Sequence, residues 1–234
     1  MDARTQISTL EVAFLSSITT EFPGRLTKSE KANLHAYLVL SHSVLEEDIE
    51  SVFEEFFDLL GPQLAGEVVP SAAVSLAFAV AEQIPDELKV AHRRRDTAAF
   101  IRGPGRKVLE KAIAANNGLK EENLAKLAKA VGVNWAAFEQ ALGTAIADLS
   151  TFGTKRGSSS HLSPFSTKVT AIAEELDPED VKRWVRDAVA GAAAIRAHLL
   201  SQAVGSRIKK STAQRDRIRH GAPRLRVSRS LRSA

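Results

Sequence analysis

The sequence predicts an all-α protein: a helical bundle with a long second helix and a basic C-terminal tail. Three observations point there. Hydrophobic residues make up 44% of the 234 residues, enough for a sizeable core, while aromatics are only 6% and β-branched residues are thinly spread. Apolar residues recur at spacings of three, four and seven, the period of a helix that buries one face. No segment alternates convincingly between apolar and polar residues, so no strand is expected, and no internal repeat stands out.

The elements follow in order. A first helix is expected over Ile7–Thr20, closed by Pro23-Gly24. The long second helix places Leu34, Leu38, Leu45, Ile49, Val52, Phe53, Phe56 and Leu60 on one stripe, and Gly61-Pro62 ends it. Helices are then expected over Ser71–Gln83, Asp86–Ile101 and Pro104–Ala115, with Arg102-Gly103-Pro104-Gly105 as a turn between the last two. Glu121–Val131 reads as a short helix after the Asn117-Gly118 turn. Asn134 caps a helix whose Trp135, Phe138, Leu142, Ile146 and Leu149 share a face, with Gly153 placed to end it. Asp177-Pro178-Glu179-Asp180 is a start signal: a capping acid, proline at the first helical position, and acids near the positive end of the helix dipole. From it Val181, Trp184, Val185, Ala188, Ala192, Ile195 and Leu199 define a closing helix to about Val204. Between these two helices lies a largely polar segment, Gly153–Asp177, whose part from Lys168 to Leu176 has the pattern of a further helix.

Charge divides the chain into a helical domain over 1–204 and a tail over 205–234. The tail holds ten Lys and Arg against one acid, Asp216, for a charge of +9; since the whole chain is +4, the remainder is −5. An acidic body with a basic tail points to a polyanionic partner, nucleic acid or less often an anionic membrane surface, with a solvated tail that has no partner as the plain alternative. There are no cysteines, which excludes disulfides, thiolate metal sites and a cysteine nucleophile. The first twenty residues lack a secretory pattern, and the longest largely apolar stretch, Ala72–Ala81, is too short to span a bilayer. A soluble, cytoplasmic protein with no membrane contact is expected.

The polar segment contains Lys155-Arg156-Gly157-Ser158-Ser159-Ser160-His161. Cleavage of RNA through its own 2′-hydroxyl needs a group that moves a proton near neutral pH, which suits histidine. It also needs a fixed positive charge on the phosphate, which suits arginine. Arg156 and His161 supply both, with four residues between them. The spacing is not unique, because Arg215 and His220 repeat it in the tail, beside Asp216, Arg217 and Arg219. A Ser/Gly-rich surface loop with a solvated histidine is the plain alternative.

Three stretches together resemble the HEPN superfamily, in particular its stand-alone prokaryotic ribonuclease branch. Ala36-Tyr37-Leu38-Val39-Leu40-Ser41-His42-Ser43-Val44-Leu45-Glu46 is similar to that family's early helix. Asn117-Gly118-Leu119-Lys120-Glu121-Glu122-Asn123-Leu124, continuing to Val131-Gly132-Val133, is similar to a connecting segment. Lys155 to His161, followed by the Asp177 helix, occupies the place of the family's Arg-x(4 to 6)-His motif. The likeness covers about residues 30 to 203.

The resemblance implies a HEPN-like bundle, a homodimer that brings two motifs to one cleft, and metal-independent endoribonuclease activity without a cofactor, in a toxin-antitoxin or phage-defence setting with an antitoxin protein as partner. It implies Arg156 and His161 as catalytic residues, with Glu46 and Ser160 as supporting candidates. Lys155, Arg215, Arg217 and Arg219 are candidates for RNA binding. Gly157 stands where an acid or amide is common across the superfamily, and Ser160 where a small apolar residue often precedes the histidine. A catalytically inactive module that binds RNA or a protein partner is therefore the alternative function. His42 and Glu46, four apart on the long helix, read as a helix-stabilising pair rather than a metal site, and His92-Arg93-Arg94-Arg95 as a basic cluster.

Overall fold

A computed structural model of the chain describes residues 2–19, 26–66, 68–84, 101–160, 176–204 and 207–209. The expected helix over 86–101 therefore falls almost entirely outside the described residues, as do His161, the Lys168–Leu176 stretch apart from its last residue, and the tail beyond Lys209.

The fold is all-α, as expected. α1 (Ala3–Leu15) starts where the Asp2 side chain accepts the Thr5 N–H at 2.9 Å, and it ends five residues before the expected boundary. α2 (Lys28–Leu60) is the central element: 33 residues, about 50 Å at 1.5 Å per residue. A reciprocal capping box fixes its start. Thr27 accepts the Glu30 N–H, while the buried Glu30 carboxylate takes the backbone N–H groups of Thr27 and Thr19 at 2.8 and 2.9 Å. All eight residues of the expected α2 stripe are buried, together with Tyr37, Phe57, Ser41 and His42.

A 3₁₀ turn (Pro62–Ala65) and β1 (Val68–Pro70) lead to α3 (Ser71–Gln83). The residues Ile101–Gly105, of which Arg102–Gly105 were expected as a turn, form a π-helical turn that runs directly into α4 (Arg106–Ala114). Pro104 breaks the regular ladder without stopping the helical path. Arg106 then ties α4 to α2 through Glu54 and Asp58 at 2.8 and 2.9 Å.

α5 (Glu121–Ala130) closes with a Schellman motif. The Val133 N–H donates to Ala128 O at 2.9 Å and the Gly132 N–H to Lys129 O at 3.2 Å, with Gly132 at φ +74°. α6 (Trp135–Ser160) is capped by Asn134, whose side chain accepts the Ala137 N–H at 3.0 Å, and kinks at Leu142. It does not end at Gly153. Gly153 is buried with φ outside the left-handed region, and the helix there packs against the backbone of Leu119 and Lys120, at a distance that would leave a Cβ in ordinary contact at 3.5 Å. Tertiary contact thus carries the helix seven residues past a glycine that local signals read as its stop.

α7 (Pro178–Val204) begins at the expected Asp177 cap, where a carboxylate oxygen accepts the Glu179 N–H at 2.9 Å. It packs against α2 and α6, most closely where Gly191 meets the Ala145 backbone, and Arg196 bridges to Asp48 and Glu55 of α2. The predicted α7 face is buried except for Trp184, which is half-exposed.

One departure from the all-helical expectation is a short ribbon. β2 (Arg207–Lys209) pairs antiparallel with β1, Val69 opposite Ile208. Residues 207–209 of the tail thus pair with the body, and nearby the Gln63 side chain donates to Ala203 O at 3.3 Å.

Candidate functional site

The midpoint of α2 carries an unusual face. His42, Glu46 and Glu50 lie four residues apart, so their side chains stack along one side of the helix. His42 is 1% exposed, within the stripe that otherwise buries leucine, isoleucine and phenylalanine. Its ring lies 5.7 Å from that of Phe152 on α6, tilted by 38°. One helical turn beyond Phe152, on the same side of α6, is Arg156. The segment between α4 and α5 closes the third side: its Asn116 donates to Glu50 at 2.7 Å and to Glu46 at 3.4 Å, and Gly118 lies against Nε2 of His42.

The electrostatics follow from this enclosure. Burial, helped by the nearby Arg156 charge, lowers the His42 pKa to about 4, so the imidazole is neutral at physiological pH. The 3.6 Å approach of His42 Nδ1 to Glu46 Oε2 is consequently no ion pair at neutral pH, contrary to the simplest reading of the spacing. Glu46 has its pKa raised by burial and by the charge of Glu50, while Arg156 acts in the opposite direction. Glu50 is also raised, chiefly by burial, with the Asn116 hydrogen bond opposing. The Arg156 charge acts on His42 and Glu46, while Glu50 feels the acids Glu54 and Glu47. The Arg156 Nε is buried without a hydrogen-bond partner, and so are His42 Nδ1 and Asn116 Oδ1.

Two of the sequence candidates fall in this region. Arg156 and Glu46 belong to one cluster, and Arg156 projects from a helix rather than from the irregular segment expected. Lys155, its neighbour, places Nζ 4.7 Å from the Trp184 ring on α7, a cation–π contact. Ser160 is the last residue of α6. His161 and the rival set Arg215, Arg217, Arg219 and His220 lie outside the described residues, as does the His92–Arg95 cluster. Sequence reasoning missed Asn116 and Glu50 altogether and gave His42 only a local role. The available signal was two consecutive polar residues, Ser41-His42, inside an otherwise apolar helical stripe.

Among the described residues no group of three or more His, Asp or Glu side chains is arranged to hold a metal ion, and no helix is long and apolar enough to cross a membrane. What the cluster offers is a guanidinium beside partly buried polar groups, its Nε unpaired, of the kind that suits an anion with oxygen atoms in fork geometry.

A family model described as RiboL-PSP-HEPN matches residues 4–201, which takes in every described α-helix apart from the outermost residues of the first and last. No curated protein and no solved structure matches the chain.

Proposed function

Since the chain belongs to the RiboL-PSP-HEPN family, we propose that it is a metal-independent endoribonuclease in which Arg156 and His161 act on one phosphodiester of RNA. HEPN domains are often ribonucleases, and the observation that carries the reading here is the setting of Arg156. It is not a solvated loop cation: it stands at a buried polar junction with an unsatisfied Nε. An arginine whose Nε is buried and unpaired has a donor left over for charge that develops on a phosphate.

In this mechanism the 2′-oxygen attacks the adjacent phosphorus and gives its proton to a base, and the bond to the 5′-oxygen breaks as that oxygen takes up a proton. His161, neutral, serves as base for the first transfer or, protonated, as acid for the second. Arg156 bears the negative charge that builds on the non-bridging oxygens. The products are a 2′,3′-cyclic phosphate and a free 5′-hydroxyl. Each half of a homodimer contributes one Arg156 and one His161 to a shared cleft. Lys155 and the tail cations Arg215, Arg217 and Arg219 hold the RNA backbone, and Glu46 and Ser160 support the site. The proposed setting is a toxin-antitoxin or phage-defence system, with an antitoxin protein as the physiological partner.

The test is incubation of the purified protein with RNA in EDTA beside His161→Ala and His220→Ala. Cleavage by the wild type and by His220→Ala, with a loss of roughly 10²- to 10⁴-fold in His161→Ala, is the expected result. An inactive wild type that still binds RNA would favour a module that has lost catalysis. Equal activity in all three proteins would remove His161 from the mechanism.

A further inference from the structure

α6 and α7 run antiparallel, and three contacts trace the seam between them: the Phe138 and His198 rings at 5.7 Å, Gly191 against the Ala145 backbone, and Lys155 Nζ at 4.7 Å from the Trp184 ring. The last of these lies at the end of the seam that carries Arg156, the residue next to Lys155 on α6. Trp184 is the one member of the predicted α7 stripe that is not buried. Lys155 forms no ion pair with a described acid, so its ammonium keeps its donors for an anion from outside. Further along the same seam stand Asp148 of α6 and Asp187 of α7, near enough that the Asp187 charge adds to burial in raising the Asp148 pKa. An exposed aromatic face under a cation thus sits beside Arg156, and an acidic pair lies beyond it.

We propose that Trp184 is a stacking platform for an unpaired RNA base and that Lys155 takes the adjoining phosphate, so that the site selects single-stranded RNA with a purine beside the cut. The indole supplies a broad π face with one edge in water. In the free protein the ammonium occupies that face. Such a contact at an exposed site is worth a factor of about two to five, whereas a base stacked on an aromatic side chain is worth about 5- to 150-fold in affinity. The base therefore displaces the ammonium, and the flexible stem of Lys155 carries the charge to the phosphate. Consecutive residues of a helix point about 100° apart, which directs Lys155 towards α7 and Arg156 towards the side of Phe152 and His42. The two cations thus flank the end of α6 and suit neighbouring phosphates of one strand, while Asp148 and Asp187 repel the strand from the rest of the seam. A duplex keeps both faces of its bases covered and cannot use the platform. Purines present more ring to the indole than pyrimidines do, hence the preference. That the strand is cut there rests on the nuclease reading; the stacking does not.

Intrinsic fluorescence tests the platform without relying on cleavage. The chain has two tryptophans, and Trp135 lies 20 residues before Lys155 on α6, about 30 Å away at 1.5 Å per residue. Trp135→Phe in the full chain therefore leaves Trp184 as the reporter. Titration with 2′-O-methyl oligoadenylate, which has no 2′-hydroxyl to attack and stays intact, should quench this emission saturably. Oligouridylate should bind about three- to tenfold more weakly, and an RNA duplex or heparin, a polyanion without bases, should leave the emission unchanged. Trp184→Leu keeps an apolar side chain in the seam; it should weaken oligoadenylate binding about 5- to 150-fold and remove the purine preference, and Trp184→Phe should restore most of both, with circular dichroism to check folding. Absence of oligoadenylate binding, binding without quenching, equal quenching by heparin, or folded Leu and Phe variants that bind alike each overturn the platform. The quenching measurement leaves Trp184 in place, so it decides the matter even where a substitution there unfolds the protein. Saturable quenching in a protein that cleaves no RNA overturns the nuclease reading and leaves the platform standing.

Discussion

Acid should destabilise this protein through His42, and the size of the effect can be worked out. The group is 1% exposed and its folded-state pKa is lowered from 6.5 to about 4. Between those values the unfolded chain binds a proton that the folded state refuses, so stability is complete above the unfolded value and is lost as pH falls towards the folded one. At about pH 5 the penalty is roughly 2 kcal/mol, against about 0.2 kcal/mol near pH 7. Glu46 and Glu50, with raised values, act oppositely: they take up protons more readily in the folded state and offset part of the loss. Urea denaturation at about pH 7 and about pH 5 on the wild type and on His42→Gln isolates the histidine, because the two acids are common to both proteins. The wild type should lose about 2 kcal/mol more than the variant over that interval, with equal m-values. Parallel pH–stability curves for the two proteins would refute the buried, neutral imidazole.

Three further outcomes follow from packing and charge. Gly132→Ala should lower stability by about 2–4 kcal/mol in thermal unfolding, since a Cβ would meet the Ser75 carbonyl oxygen at 2.5 Å and the residue sits at φ +74°. Gly191→Ala and Gly143→Ala should move Tm in opposite directions, although each gains about 1 kcal/mol of helix propensity: a Cβ at Gly191 meets the Ala145 carbonyl oxygen at 2.9 Å, while at Gly143 there is nothing within 4 Å. Truncation after Lys209, which spares the β1–β2 ribbon, removes eight of the ten tail cations. Filter binding to single-stranded RNA should then show a weaker salt dependence, by about 0.7 in slope for each phosphate that the tail neutralises, and an unchanged slope would dismiss the tail as an RNA-binding element.

Much of the fold was legible because its signals were local and repeated. The apolar stripe of α2 from Leu34 to Leu60 and the Asp177-Pro178 start of α7 each combine periodicity with terminal chemistry, and both appear as expected. The misreadings share a cause in tertiary contact. Gly153 looked like a helix stop, yet it is buried in helical conformation where α6 packs on Leu119 and Lys120. The β1–β2 ribbon joins residues about 140 positions apart, three on each side, too short to leave an alternation pattern. The Thr27-Lys28-Ser29-Glu30 capping box was present in the sequence and would have placed the start of α2.

For the site, Arg156 and Glu46 could be named because a motif and a helix pattern carried them. Asn116 could not, because it comes from a connecting segment whose partners are 66 and 70 residues away. Nor could the neutrality of His42, which depends on enclosure by Phe152 and Gly118 rather than on any neighbour in sequence.

The chemistry of the cut ends tests the central claim most directly. RNA digested in EDTA and analysed by mass spectrometry should carry 2′,3′-cyclic phosphate and 5′-hydroxyl ends, and a single 2′-deoxy substitution at the preferred site should abolish cleavage there. Ends bearing 5′-phosphate and 3′-hydroxyl, or cleavage that persists at the deoxy site, would contradict attack by the 2′-oxygen under Arg156 and His161.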